Sequence, residues 1–156
     1  MRSRAASYFF AIVAMVMGFM GGTCSYFAAF AHNELGPYFD QNDMGSYSSQ
    51  ARRAFTHLVV SAVFLWLMDL GFIFTAAIER FRIPCSKFLL IAGGLTVASL
   101  QVMVMDDAWG WRTYFNTEGL DHFTSNCRAL AGICTANMVL MFFMVVVCVM
   151  LMKSED

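Results

Sequence analysis

The sequence predicts an all-α integral membrane protein, a four-helix transmembrane bundle built as a single four-span membrane domain over residues 1–156. Three observations carry this. Of the 156 residues, 59% are hydrophobic and 13% are charged, against about 45–50% and 25% in ordinary soluble domains. The mean hydropathy is +0.60, more apolar surface than a soluble fold of this size can hide. Finally, the apolar residues gather into four stretches, at about 8–31, 55–78, 87–105 and 130–152. At 1.5 Å per residue each reaches across a hydrocarbon core of ~30 Å. Within that core every backbone amide must pair inside its own segment, which makes each stretch a helix.

Span one follows Arg2 and Arg4 and opens with Tyr8, Phe9 and Phe10. Its apolar part exceeds the roughly 7–15 residues of a signal-peptide core, so it is expected to be retained. Span two closes on Glu79, Arg80 and Arg82, and a tight turn over 81–86 follows, with Pro84 unable to continue a helix. Spans two and three are therefore antiparallel neighbours. An even number of spans puts both ends on one side, with Arg2, Arg4, Arg80, Arg82, Lys87 and Lys153; the other side holds Arg52, Arg53, Arg112 and Arg128. The basic excess places the termini in the cytoplasm, matrix or stroma. A plasma membrane and a mitochondrial inner membrane fit equally well. The two connections on the opposite side are the longer ones. In the second, Trp109, Trp111, Tyr114 and Phe115 cluster just beyond span three. They are expected to anchor at the headgroup level, the alternative being the lip of a ligand site. No internal repeat or low-complexity tract is evident.

Lipid gives helices no hydrophobic reason to associate, so small residues that permit close approach mark the contacts. Span one offers Ala14, Gly18 and Gly22, span three Gly94 and Ala98, and span four Gly132 and Ala136. The thirteen methionines include Met15, Met17 and Met20 in span one and Met138, Met141 and Met144 in span four. Thioethers suit Cu(I), but scattered over several faces they are expected to fill space.

Asp69 stands out because it lies in mid-span, between Trp66 and Phe72, with no Lys or Arg in the interior of any span. A carboxylate at the bilayer centre costs about 2.5–3.5 kcal/mol on insertion scales. It is either a proton or ion site or a neutral acid tying helices together, with Thr23, Thr96, Ser99 or Gln101 as hydrogen-bond partners; the tie is preferred. His32, His57 and His122 share the side away from the termini with Glu34, Asp106, Asp107 and Asp121. Imidazole and carboxylate hold divalent metals, but no HxxxH or HExxH spacing occurs, so no metal or other cofactor is expected. Cys127, Cys134 and Cys24 also fall towards that side, where an oxidising compartment would allow a disulfide. No basic run or stripe suggests nucleic acid.

The layout resembles four-span families of the MARVEL and plant Casparian-strip type, with Cys127 and Cys134 flanking the junction into span four after Trp111. The resemblance implies cytoplasmic ends, a short inner turn and two modest outer loops. It carries over no site residue, since span one holds no arginine and the intramembrane acid is in span two rather than three.

No catalytic set is recognisable. The preferred expectation is a non-enzymatic protein acting by lateral association in the bilayer, with itself or with other membrane subunits, as a scaffold or accessory subunit of a larger membrane complex. The alternative is a small transporter, channel subunit or membrane enzyme using Asp69.

Overall fold

In a computed structural model that describes residues 4–78 and 86–153, the chain is almost entirely helical. The expected turn over 81–86 with Pro84, the charges Arg2, Glu79, Arg80 and Arg82, the thiol of Cys85 and the side chain of Lys153 lie outside the described residues. Helix α1 spans Arg4–Phe30, a π-helical turn Ala31–Leu35, α2 Gly36–Gln41, α3 Gly45–Ala77, α4 Ser86–Thr117 and α5 Asp121–Lys153. No strand occurs among the described residues. Four of these stretches are long and apolar enough to cross a membrane, and on that ground the chain is a multi-pass membrane protein.

The helices outrun the apolar spans that predict them. Helix α3 has 33 residues, about 50 Å at 1.5 Å per residue, against a hydrocarbon core of ~30 Å. The excess lies at the end away from the termini, called the distal end below. Residues 45–54, 106–117 and 121–129 are helical there, where the sequence analysis expects loops. Hydropathy reports where lipid ends, not where a helix ends.

Pro37 accounts for the π turn. Proline has no N–H, and its ring collides with the carbonyl four residues back, here that of Asn33. The turn before it widens, and the Gly36 N–H reaches five residues back to the Ala31 carbonyl. One extra residue is thereby absorbed without breaking the helix.

Both distal connections are closed by the same device. After α2, Asp43 takes a φ of 55°, its N–H returns to the Asp40 carbonyl and the Met44 N–H to that of Phe39 at 2.9 Å. After α4, Gly119 takes a φ of 73°, its N–H returns to Asn116 and the Leu120 N–H to Phe115 at 3.0 Å. These are Schellman closures, in which a left-handed residue lets two amides satisfy free carbonyls while an apolar residue folds over the last turn. Glycine adopts that conformation freely, and aspartate is one of the few other residues that tolerate it.

The likeness continues along the chain. Residues 76 apart match around the turns, as in Tyr38-Phe39 with Tyr114-Phe115, Met44 with Leu120, Ser49 with Ser125 and Arg52 with Arg128. Buried positions keep step to the far end, pairing Ala51 with Cys127, Leu58 with Cys134, Leu65 with Met141 and Phe72 with Cys148. Before the π turn the offset becomes 77, pairing Met20 with Val97 and Cys24 with Gln101. The π turn absorbs that one added residue. The chain is therefore two successive helical hairpins of one design, α1 to α3 and α4 to α5.

Their contacts are isologous, as between subunits of a two-fold dimer. Tyr38 meets Phe123 with ring centroids 5.1 Å apart, and the equivalent residues Tyr114 and Tyr47 meet at 5.6 Å. Phe39 stacks on its own equivalent, Phe115, at 5.6 Å, which places the pseudo-two-fold axis between them. The hairpins join chiefly through α3 and α4, while α1 and α5 meet more narrowly. This repeat corrects the expectation that the chain holds none. It survives in burial and turn geometry far more than in residue identity.

Candidate functional site

The distal end is a cap of packed rings bound by charges. Trp111 and Phe115 are wholly buried, not lying at the interface as the sequence suggests. The Trp111 Nε1–H donates to Gln50 Oε1 at 3.2 Å, and its ring lies against Phe39. Trp109 is the exposed one, with the Arg112 guanidinium 5.0 Å above its ring. Arg53 Nη2 donates to both oxygens of buried Asp107, at 3.0 and 3.1 Å, and so ties α3 to α4. Asp40 accepts from Ser48 and Arg52. The Ser48 hydroxyl, then Arg52, hold its carboxyl below the usual range.

The three histidines do not converge. His32 lies against Phe55 at 4.9 Å, and His122 contacts Glu34 at 2.9 Å. His57 has a buried Nδ1 with no hydrogen-bond partner among the described residues. Asp106 and Asp121 are exposed. No three His, Cys, Asp or Glu side chains form a metal-binding group among the described residues.

Deeper in the bundle a polar cluster occupies the seam between the hairpins. The equivalent positions Cys24 and Gln101 meet there, Gln101 Nε2 donating to Cys24 Sγ at 3.5 Å. Asn137 Nδ2 reaches the same sulfur at 3.6 Å and Gln101 Oε1 at 3.5 Å. All three are buried, joining α1, α4 and α5. Asn137 was not singled out from sequence, although an amide in the middle of span four was the available signal. Cys24, Cys127 and Cys134, considered for a disulfide, are buried free thiols in this structure. Of the methionines, Met17, Met20, Met141 and Met144 are buried in the core, while Met15 is exposed.

Asp69 faces α1. Its Oδ2 lies 3.2 Å from where a Cβ on Gly18 would stand. Its Oδ1 is closed off and hydrogen-bonded to nothing among the described residues. The partners expected for it are occupied elsewhere. Thr23, Thr96 and Ser99 bond carbonyls of their own helices, to Met20, Ala92 and Leu95, and Gln101 belongs to the central cluster. One turn distal, the Trp66 indole lies over Gly21, 2.4 Å from the place of its absent Cβ. Any side chain there would expel the indole. Past Trp66 a groove of about 340 Å³ opens between Ser25, Ala28 and Ala29 on one wall and Val59 and Val63 on the other, ending at His32.

The small residues divide into two groups. Ala14 is buried, Ala98 is half-buried, and Gly94 takes Val145 at 2.6 Å from its Cβ position. Gly93, not singled out from sequence, takes Met68 Sδ at 3.1 Å. Where a Cβ on Gly22 or Gly132 would stand, nothing from another part of the described chain lies within 4 Å, and Ala136 is exposed. No protein-family model, curated protein or solved structure matches this chain.

Proposed function

We propose that the chain is a non-enzymatic membrane protein acting by lateral helix association, as a scaffold or an accessory subunit of a larger membrane complex. One observation carries this reading: Gly132 and Ala136, about one turn apart on α5, together with Gly22 on α1, lie uncovered on the outer surface of the spans. Small residues let a neighbouring backbone approach closely, the main source of helix association in lipid. Inside the bundle Gly21 and Gly94 serve this purpose; on the outside the same device awaits a neighbour.

Sizing the chain by light scattering after gentle extraction tests it. The reading expects an assembly larger than one chain, shifted towards monomer by Gly132→Leu combined with Ala136→Leu. Position 132 opens onto free space and Ala136 is exposed, so the bundle itself should tolerate the change. A wild-type chain that runs as a solitary monomer would overturn the reading.

The Asp69 Oδ1, without a hydrogen-bond partner among the described residues, favours a second reading, a small transporter, channel subunit or membrane enzyme using that carboxyl. Asp69→Asn keeps the shape and removes the titratable proton. Unchanged ion flux or activity in that variant disposes of it.

A further inference from the structure

We infer that the α1–α3 flank docks a transmembrane helix of a partner subunit, and that Asp69 there pairs with a lysine or arginine of that helix at mid-bilayer. This rests on the lateral-association reading and names the chemistry of the partner.

The two hairpins supply an internal control. The position equivalent to Asp69 is Val145, 76 residues on, whose methyl packs against Gly94. An apolar side chain therefore serves the fold at this place, and nothing in the hairpin design calls for an acid. Within the chain the cost of a carboxyl at this depth is not returned. Among the described residues Oδ1 has no hydrogen-bond partner, and the hydroxyls and amide suited to the task are bonded elsewhere.

The flank also differs from its twin in the way a helix-docking face should. Ser25 and Trp66 on the first hairpin correspond to Val102 and Phe142 on the second, so beside Asp69 the first flank carries polar atoms at two positions where its twin is hydrocarbon. Trp66 is 45% exposed, the groove beside it is walled by Ala28 and Ala29, and no described residue from another part of the chain comes within 4 Å of where a Cβ on Gly22 would stand. From Gly18 to Ala29 this face runs about 16 Å along α1 at 1.5 Å per residue, three turns against which a helix can lie lengthwise. An ionised carboxylate only accepts hydrogen bonds, and intramembrane acids are met by opposite charges or donors. A basic side chain supplies both.

The full chain, reconstituted in phosphatidylcholine vesicles with a dye at its amino terminus, is titrated with two labelled peptides. One is a polyleucine transmembrane helix with a single central lysine, and the other has leucine there. Energy transfer should show the lysine peptide binding about tenfold tighter, the scale of one interhelical polar contact. Asp69→Val, which copies the twin position and so keeps a residue this fold already accepts, should abolish the preference. Gly22→Leu should weaken the lysine peptide while leaving the thermal midpoint of the bundle unchanged. Equal binding of the two peptides to wild type, or a preference that survives Asp69→Val, overturns the pairing. Equal binding by a chain that still sizes as an assembly removes the pairing and leaves lateral association standing. A solitary wild-type chain removes lateral association and the docked partner with it.

Discussion

The distal cap and the membrane-embedded part of this bundle are built from the same hairpins but held together by different physics. In the cap, rings such as Phe39 and Phe115 stack, and ion pairs such as Arg53–Asp107 cross between helices. The segments of this end are polar enough to lie in water, where burying those rings gains the full hydrophobic term. Within the spans the outward face is itself apolar, with Phe19, Leu67 and Phe142 among its exposed residues. There lipid is as apolar as leucine, and cohesion falls to close packing and a few polar contacts. Equal burial is therefore worth unequal amounts at the two ends.

Matched substitutions give the sharpest test of that inequality. Phe115 and Phe10 are buried to the same degree, at 0% and 1% exposure, one in the cap and one in a span. Phe115→Ala should cost about 3–5 kcal/mol, transfer and cavity terms together. Phe10→Ala should cost distinctly less, because its reference state is already in lipid and chiefly the cavity term remains. Denaturant unfolding in mild detergent reads both. Equal losses would break the comparison.

Next in size is Arg53→Met, which leaves the buried Asp107 carboxyl, its side chain 6% exposed, without its partner. A loss of about 1–3 kcal/mol is expected, towards the lower end because half of the Arg53 side chain faces water. Adding Asp107→Leu should restore much of it, and a double-mutant cycle isolates the pair. Smaller still is Gln101→Leu in the central cluster, expected to cost about 0.6 kcal/mol, the average for interhelical hydrogen bonds in membranes. The smallest is Arg52→Ala. The Asp40–Arg52 contact is open to water, so no measurable change in midpoint is expected at neutral pH. Because the Asp40 carboxyl is held below its ordinary value, its contribution is complete above that value. It fades as acid takes the pH down through the lowered one.

What was legible in the sequence is what hydropathy can carry. Four apolar runs gave the helical bundle, and Asp69 was conspicuous as the acid among them. The sequence suggests loops for the distal helices because residues 45–54 and 106–129 are polar enough to lie in water, and polarity alone does not separate a wet helix from a loop. The burial of Trp111 was missed for a related reason: its neighbours come from Phe39 and Gln50 on other elements. Among the small residues the phase was decisive. Of the adjacent pair Gly21 and Gly22, it is Gly21 that takes Trp66 while Gly22 opens outward, and a spacing of four cannot say which neighbour stands opposite. The duplication was hidden by the single residue absorbed in the π turn, which shifts the offset from 76 to 77 between the cap and the spans.

Site-directed spin labelling on α3 tests the division most directly, using Ser49→Cys in the cap and Leu67→Cys in the span, both at exposed positions, in vesicles and with the native cysteines replaced by alanine. A label at position 49 should be relaxed by a water-soluble nickel complex, and one at position 67 by dissolved oxygen with little response to nickel. A position-67 label as open to nickel as that at 49 would mean that water, not hydrocarbon, surrounds this helix along its whole length.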